Sequence, residues 1–244
     1  MNRLIRAELT KLTTVRAPRW VLLAQVVLLA MAASGAVVSG TLSAERMATS
    51  EGMRTFLAHG GVVAIFSLVV GITMSAGEFR HGTVVDTFLT TPRRGLVVVA
   101  KLVAGALAGL VAGLVVVATV VLLAVIWYGA KGVTLDWHIV VRSTLGVLVW
   151  QILYTVLGVA LGAVVRAQAA AVVAAVAWLF VAETAMAQLL TSVGRWLPAT
   201  AASALGNAPG KGYLPQVGAG LVLAGWTALA GLLAVEFTRR RDVT

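Results

Sequence analysis

The sequence predicts an all-α integral membrane protein with six transmembrane helices, and three observations predict it. Of the 244 residues, 60% are hydrophobic and only 11% are charged, where soluble domains carry about 25% charged residues. Six long stretches lack Asp, Glu, Lys and Arg, apart from one interruption at Glu183. The basic residues between those stretches fall mostly on alternate loops, as in chains oriented across a bilayer. Together these exclude an ordinary cytosolic enzyme, a disordered tail and a fibrous protein. The chain has no cysteine, which excludes disulfide scaffolds, thiolate metal sites and cysteine nucleophiles.

The charge-free stretches are residues 20–44, 55–77, 102–130, 143–165, 167–194 (around Glu183) and 212–235. A helix needs about 20 apolar residues to cross roughly 30 Å of hydrocarbon, which places the spans at about 20–40, 58–77, 102–127, 143–165, 168–190 and 215–236. Helices are required because only they satisfy their own backbone groups in lipid at this length, and the alternation of a lipid-facing barrel strand is missing. The first span has a basic lead and small residues like a signal peptide, but its long lead and the apolar run to Val38 predict an uncleaved helix. The chain reads as one transmembrane domain over 1–244, with no soluble domain between the spans.

Six crossings put both termini on one side. That side receives thirteen of the 19 Lys and Arg residues, and the other receives six. The richer side is cytoplasmic by the positive-inside rule, so both termini and the loop from Glu78 to Lys101 are inside. The net charge of +10 is thereby explained without a nucleic-acid partner.

Small residues recur at helical spacing. Gly105, Gly109 and Gly113 in span three, and Gly158 and Gly162 in span four, place close-packing faces on these helices. Packing inside the bundle or a subunit interface would each use them. Trp127, Tyr128, Trp137, Trp196 and Tyr213 near outer boundaries, and Trp20 at an inner one, fit interfacial anchoring. Gln25, Gln151 and Gln188 fit hydrogen bonding between spans.

The lead, residues 1–19, is an N-terminal amphipathic interface helix. Leu4, Ile5, Leu9, Leu12 and Val15 share one arc, and basic and Thr residues fill the rest, as suits a headgroup-level helix. Glu8 breaks the pattern by pointing into the apolar arc. It pairs with Lys11 at i+3, or it faces a partner or another cytoplasmic helix. Between spans two and three runs Glu78-Phe79-Arg80-His81-Gly82-Thr83, then a short amphipathic helix. Thr83 with Asp86 gives a start signal, Val84, Val85, Phe88 and Leu89 form one apolar face, and Pro92 limits the end. This segment is either a surface-lying connector or a cytoplasmic coupling helix that inserts into a motor.

Glu8-Leu9-Thr10-Lys11-Leu12 with Arg16 and Trp20, followed by Glu78-Phe79-Arg80-His81-Gly82-Thr83, Thr90-Thr91-Pro92-Arg93-Arg94 and Lys101, resembles the type-2 permeases of ATP-binding-cassette (ABC) transporters. The short six-span actinobacterial-type members are the nearest in pattern. The motifs cover about forty residues, and the six-span topology without an ATPase domain extends the resemblance over the chain. The resemblance implies a permease subunit in the plasma membrane of a bacterium. A separate ATP-binding subunit would energise it, and a second permease copy, in a homodimer or a heterodimer, would complete the pathway. It implies export as the direction. It also implies coupling to the ATPase through Glu8 and Lys11 in the lead and through Glu78, Arg80, His81, Gly82, Thr83, Val84, Phe88 and Leu89 in the loop. The segment around Arg195-Trp196-Leu197-Pro198 would fold back into the outer leaflet.

No catalytic, cofactor or metal residue is assigned. The nearest match to a phosphate-binding loop, residues 206–212, has the wrong spacing and lacks the hydroxyl that holds magnesium. ATP and magnesium therefore belong to the partner subunit, and the chain itself is not read as an enzyme. His59, His81 and His138 lie on separate segments without ligand spacing. Glu183 is the one acid well inside a span, and such groups are costly in lipid. Counted from Arg166 it lies near the outer interface, where it lines the pathway exit as a gate or pairs with Arg142 or Arg195. Two other functions remain open: an ion-coupled secondary carrier and a non-transporting membrane scaffold.

Overall fold

A computed structural model describes residues 1–80, 82–84, 89, 91 and 93–240. Among these the fold is all-α, and six helices are long and apolar enough to cross a membrane. Span one is Ala17–Val38, span two Ser50–Arg80, span three Arg94–Ala130, span four Trp137–Val165, span five Gln168–Leu189 and span six Gln216–Arg240. A lead helix, Asn2–Thr14, precedes them. The chain is thus a multi-span membrane protein. Span three has 37 residues, or roughly 55 Å at 1.5 Å per residue, so it projects beyond the hydrocarbon and begins a full two turns before the apolar stretch.

The helix ends carry recognisable chemistry. Thr49 accepts from the Gly52 amide at 3.0 Å to start span two, and Asp136 accepts from the amides of His138 (2.9 Å) and Ile139 (3.3 Å) to start span four. Such caps satisfy first-turn donors that the helix itself cannot. Span four stops at Arg166, which turns left-handed at φ 58°, and Gly82 takes φ 71° just past span two. A residue without a Cβ accepts that angle readily.

Two spans are irregular. Span two consists of Ser50–Val62 and Ala64–Arg80, broken at Val63. Span five passes through a π-helical turn, Trp178–Ala182, before Glu183–Leu189. Between spans five and six lie short helices Thr191–Gly194 and Pro198–Leu205. Ala201, Ala202 and Leu205 are buried. The Trp226 indole donates to the Trp196 carbonyl at 2.9 Å. Trp226 lies ten residues into span six, or roughly 15 Å, so this segment dips well into the bundle.

Span four is the packing axis, and glycine makes it so. A Cβ at Gly105, Gly109 or Gly113 of span three would lie 2.8 Å from Val159 Cγ2, 2.7 Å from Thr155 Oγ1 and 2.7 Å from Leu148 Cδ1 of span four. Gly162 would meet Ile72 O of span two at 2.6 Å, and Gly158 faces Leu68 O even more closely. These five glycines therefore pack spans two, three and four against one another within one chain. Close approach of this kind replaces the hydrophobic drive that lipid removes.

The aromatics near the span ends differ in exposure. Tyr128 is 1% exposed and meets Phe56 edge-on at 5.8 Å in the core, whereas Trp20 and Trp137 face outward. Gln188 is exposed, while Gln25 and Gln151 are fully buried.

Candidate functional site

Four charged side chains converge where the lead helix meets the ends of spans two and three. Glu8 enters from the lead helix because it lies on the apolar arc, which faces the bundle. Lys101 Nζ lies 2.6 Å from Glu8 Oε2 and 2.6 Å from Glu78 Oε1. Lys11 Nζ lies 2.7 Å from Glu8 Oε1 and 2.7 Å from the same Glu78 oxygen. Two carboxylates and two ammonium groups thus alternate in a closed ring. Glu8 and Lys101 are each 5% exposed, while the Lys11 side chain keeps 45% of its surface. The i,i+3 pair between Glu8 and Lys11 is present, and it is half of a larger latch. Burial opposes the Lys11 charge, but the bonds to Glu78 and Glu8 outweigh it and raise its pKa above the ordinary lysine value.

The ring joins three elements distant in sequence, and its charges compensate one another. Such assemblies add little net stability relative to apolar packing, but removing one member strands the others. A cavity of about 450 Å³ opens beside it, lined by Glu8, Lys11, Glu78, Thr83 and Gln168 among others. A second cavity, of about 460 Å³, lies on the other side of the lead helix. Its walls are mostly apolar, including Leu12, Leu22, Val70 and Val111, and it reaches the polar atoms of Gln25, Ser67 and Thr155. The lead helix is a partition between a charged chamber and an apolar one.

The loop residues are distributed differently from the single apolar face expected of them. Arg80 is exposed at the end of span two and forms no ion pair among the described residues. Gly82 and Thr83 are exposed as well. Val84 is 4% exposed and Leu89 is 75% exposed, so these two do not share a face. His81 and Phe88 lie outside the described residues, as do Val85, Asp86, Thr87, Thr90 and Pro92.

A neutral network sits deeper. Gln25 Nε2 donates to Gln151 Oε1 at 3.0 Å and to the Val63 carbonyl at 3.1 Å, while Gln151 Nε2 donates to the Gly60 carbonyl at 3.1 Å. Ser67 Oγ donates to Gln151 Oε1 at 2.5 Å. Val63 interrupts the helix ladder, and the two glutamines bond the carbonyls of Gly60 and Val63, the latter shared with the Phe66 amide. Buried amides of this sort need partners in a bilayer.

Glu183 forms neither of the ion pairs expected for it. Its Oε2 accepts from the Ala199 amide at 2.6 Å, at the N-terminal turn of Pro198–Leu205. Arg142 instead bonds Gln216 Oε1 at 2.7 Å, and Arg195 lies over the Trp196 ring at 5.6 Å. The partial positive charge of a helix start offers the carboxylate an alternative to a guanidinium.

Lys101 was visible in the sequence as a basic residue at a span boundary and as the last residue of the resemblance motif, with no partner assigned to it. The signal that points to it is Glu8: an acid in an apolar arc needs a buried counter-charge. Ser67 carries no such signal, since a lone Ser in an apolar helix is common. No protein-family model matches the chain, and no curated protein matches it.

Proposed function

We propose that this chain is the transmembrane subunit of an ABC transporter of the type-2 permease kind, energised by a separate ATPase and working as an exporter. The observation that carries the proposal is the latch of Glu8, Lys11, Glu78 and Lys101. It fastens the lead helix to both flanks of the loop where the sequence resemblance places the motor contact. Exposed Arg80 and Leu89 then offer a charge and an apolar side chain to the ATPase. ATP binding would draw two ATPases together beneath two permease copies. Force on the loop would reach span two through Glu78, span three through Lys101 and the lead helix through Glu8. The spans would tilt and the apolar chamber beside the lead helix would change shape. This requires the permease to bind the two ATPase states with different free energies. In this proposal the termini and the latch face the cytoplasm of a bacterial cell, and the chain hydrolyses nothing itself.

The test is purification of the tagged chain from its native membrane with its associated proteins. The expected result is a stoichiometric ATPase whose hydrolysis is altered by reconstitution with the permease, with Arg80→Glu uncoupling the two while insertion is retained. Labelling of a cysteine at position 80 from outside the cell, or full transport by the chain alone, overturns the proposal. A second reading, an ion-coupled carrier, draws on one observation: Glu183 is 1% exposed inside a span. Transport driven by a proton or sodium gradient, and abolished in Glu183→Gln, would support it instead.

A further inference from the structure

We infer that the cleft between the start of span three and the end of span six binds the headgroup of an anionic phospholipid. The cleft has a volume of about 520 Å³, and its walls are Arg93, Arg94, Gly95, Leu96, Val99, Val235 and Arg239. It therefore combines guanidinium groups with apolar side chains, which is the chemistry of a phosphate joined to acyl chains.

The balance of charge favours an anion. Arg93, Arg94 and Arg239 line the cleft and no carboxylate does among the described residues; the nearest in sequence, Glu236, is engaged by Arg240. Arg240 Nε holds Glu236 Oε1 closely, while Arg239 Nη1 stands 3.7 Å from Oε2. That longer contact leaves donors of Arg239 for another acceptor. Its side chain is 67% exposed, so the guanidinium reaches ligand without first leaving a buried pair. Arg94 already has a partner of its own, and the main ligating groups are Arg93 and Arg239.

The backbone supports the same charge. Span three begins at Arg94, after Arg93 at the cap position, with no side-chain cap and no acid in its first turn. A helix of that length presents partial positive charge at its start. A Cβ on Gly95 would lie 3.4 Å from both Cγ and Cδ of Arg239 and 3.5 Å from Val235 Cγ1. Glycine thus lets the Arg239 stem pass close over the helix start, bringing its guanidinium to the same cleft as that end of the helix.

The apolar half points to lipid. Above the cleft, spans three and six meet along Val98, Leu102, Ala230 and Ala234. On the outer flanks Leu96, Val103, Leu229 and Leu233 stay exposed, as lipid-facing surface does. A phosphate in the cleft would carry its acyl chains onto this flank. A free phosphate would leave it unused. Basic pockets between transmembrane helices at an interface are known to hold such headgroups.

The test is native mass spectrometry of the detergent-purified chain given phosphatidylglycerol and phosphatidylcholine of the same chain length at equal mole fraction. The expected result is preferential retention of phosphatidylglycerol. Arg93→Gln and Arg239→Gln should each weaken it by about five-fold, the value of one interfacial basic residue. Gly95→Leu, which fills the cleft but keeps every charge, should weaken it as well. Arg3→Gln with Arg6→Gln, on the lead helix, should leave it unchanged. Equal retention of the two lipids overturns the inference. So does retention that survives the cleft variants, an equal loss in the lead-helix variant, or displacement by glycerol 3-phosphate as effective as by the lipid.

Discussion

The basic end and the interior of this bundle each join three elements through polar groups, but with different chemistry. At the end, Glu8, Lys11, Glu78 and Lys101 use full charges to hold the lead helix against spans two and three. Inside, Gln25, Ser67 and Gln151 use neutral amides and a hydroxyl to hold spans one, two and four. Glu78 and Ser67 are eleven residues apart on span two, or roughly 16 Å. Over that distance the permitted chemistry changes. Water reaches Lys11, so charge is tolerable there, whereas in hydrocarbon an ionised group is far more costly. The contrast also separates two mechanical roles. A ring of charges opens when one member is neutralised or captured by another charge. A neutral network offers no such handle, and it fixes the break in span two at Val63. The first is suited to movement and the second to anchorage.

The largest effect should come from breaking the charged ring at its most buried cation. Lys101→Met leaves Glu8 and Glu78 sharing only the half-exposed Lys11. The expected loss is about 3 kcal/mol, the low end for breaking a buried pair, because one counter-charge remains. Reversible unfolding in detergent measures it. Replacing all four members together (Glu8→Leu, Lys11→Leu, Glu78→Leu and Lys101→Met) should recover most of that stability, since no charge is then stranded. If the fourfold variant is as unstable as Lys101→Met, the ring is not an isolated neutral unit.

Breaking the interior network should cost somewhat less. Gln151→Leu strands the Gly60 carbonyl and one donor of Gln25, at about 2 kcal/mol. A double-mutant cycle with Gln25→Leu should give a coupling of about 1 kcal/mol, as for hydrogen bonds between transmembrane helices. A coupling near zero would mean that the two glutamines do not act together.

Titration separates the two regions without mutation. The folded pKa of Lys11 is raised above its ordinary 10.5. Its contribution is therefore complete below about pH 10.5 and disappears as the pH rises through the raised value. The interior network contains no titratable group and should not respond. The chain has no cysteine, so a single cysteine at Thr13 or at Ala64, buried next to Val63 and outside the network's bonds, reports each region. Thiol accessibility, corrected for thiolate fraction, should rise at Thr13 as the pH climbs past the ordinary lysine value and stay constant at Ala64. A rise at both sites would mean that the bundle unfolds as a unit.

These regions were unequally legible in the sequence. The six spans follow from length and apolar content because the bilayer sets both, and the expected boundaries missed helical extensions such as the first two turns of span three, an apolar run between Arg94 and Lys101. The Glu8–Lys11 pair was legible because i,i+3 geometry is local. The bond from Lys101 to Glu8 crosses 93 positions, and no periodicity carries such information. The break at Val63 was hidden because the sequence there has neither proline nor charge, and its stabilising partners are on other spans. The π-helical turn at Trp178–Ala182 was hidden likewise. Glu183 was singled out correctly as unusual, yet its partner is a backbone amide, which side-chain charges cannot announce.

Glu183 marks a third chemical solution, and the smallest predicted effect belongs to it. It lies in the membrane like the glutamines but carries a carboxyl like the latch. Its Oε2 accepts from the Ala199 amide at a helix start. Gln keeps an acceptor oxygen at nearly the same position, so Glu183→Gln should retain the cap and lose only the attraction of a negative charge to the helix dipole. The expected cost is about 1 kcal/mol or less. Glu183→Leu removes the acceptor as well and should cost about 1 kcal/mol more. Unfolding of the two variants, side by side, distinguishes charge from hydrogen bonding. If Gln and Leu are equally destabilised, the carboxylate is held by its charge, as in the latch. If Gln is harmless and Leu is not, it is held by its hydrogen bond, as in the glutamine network, and position 183 belongs with the anchoring region.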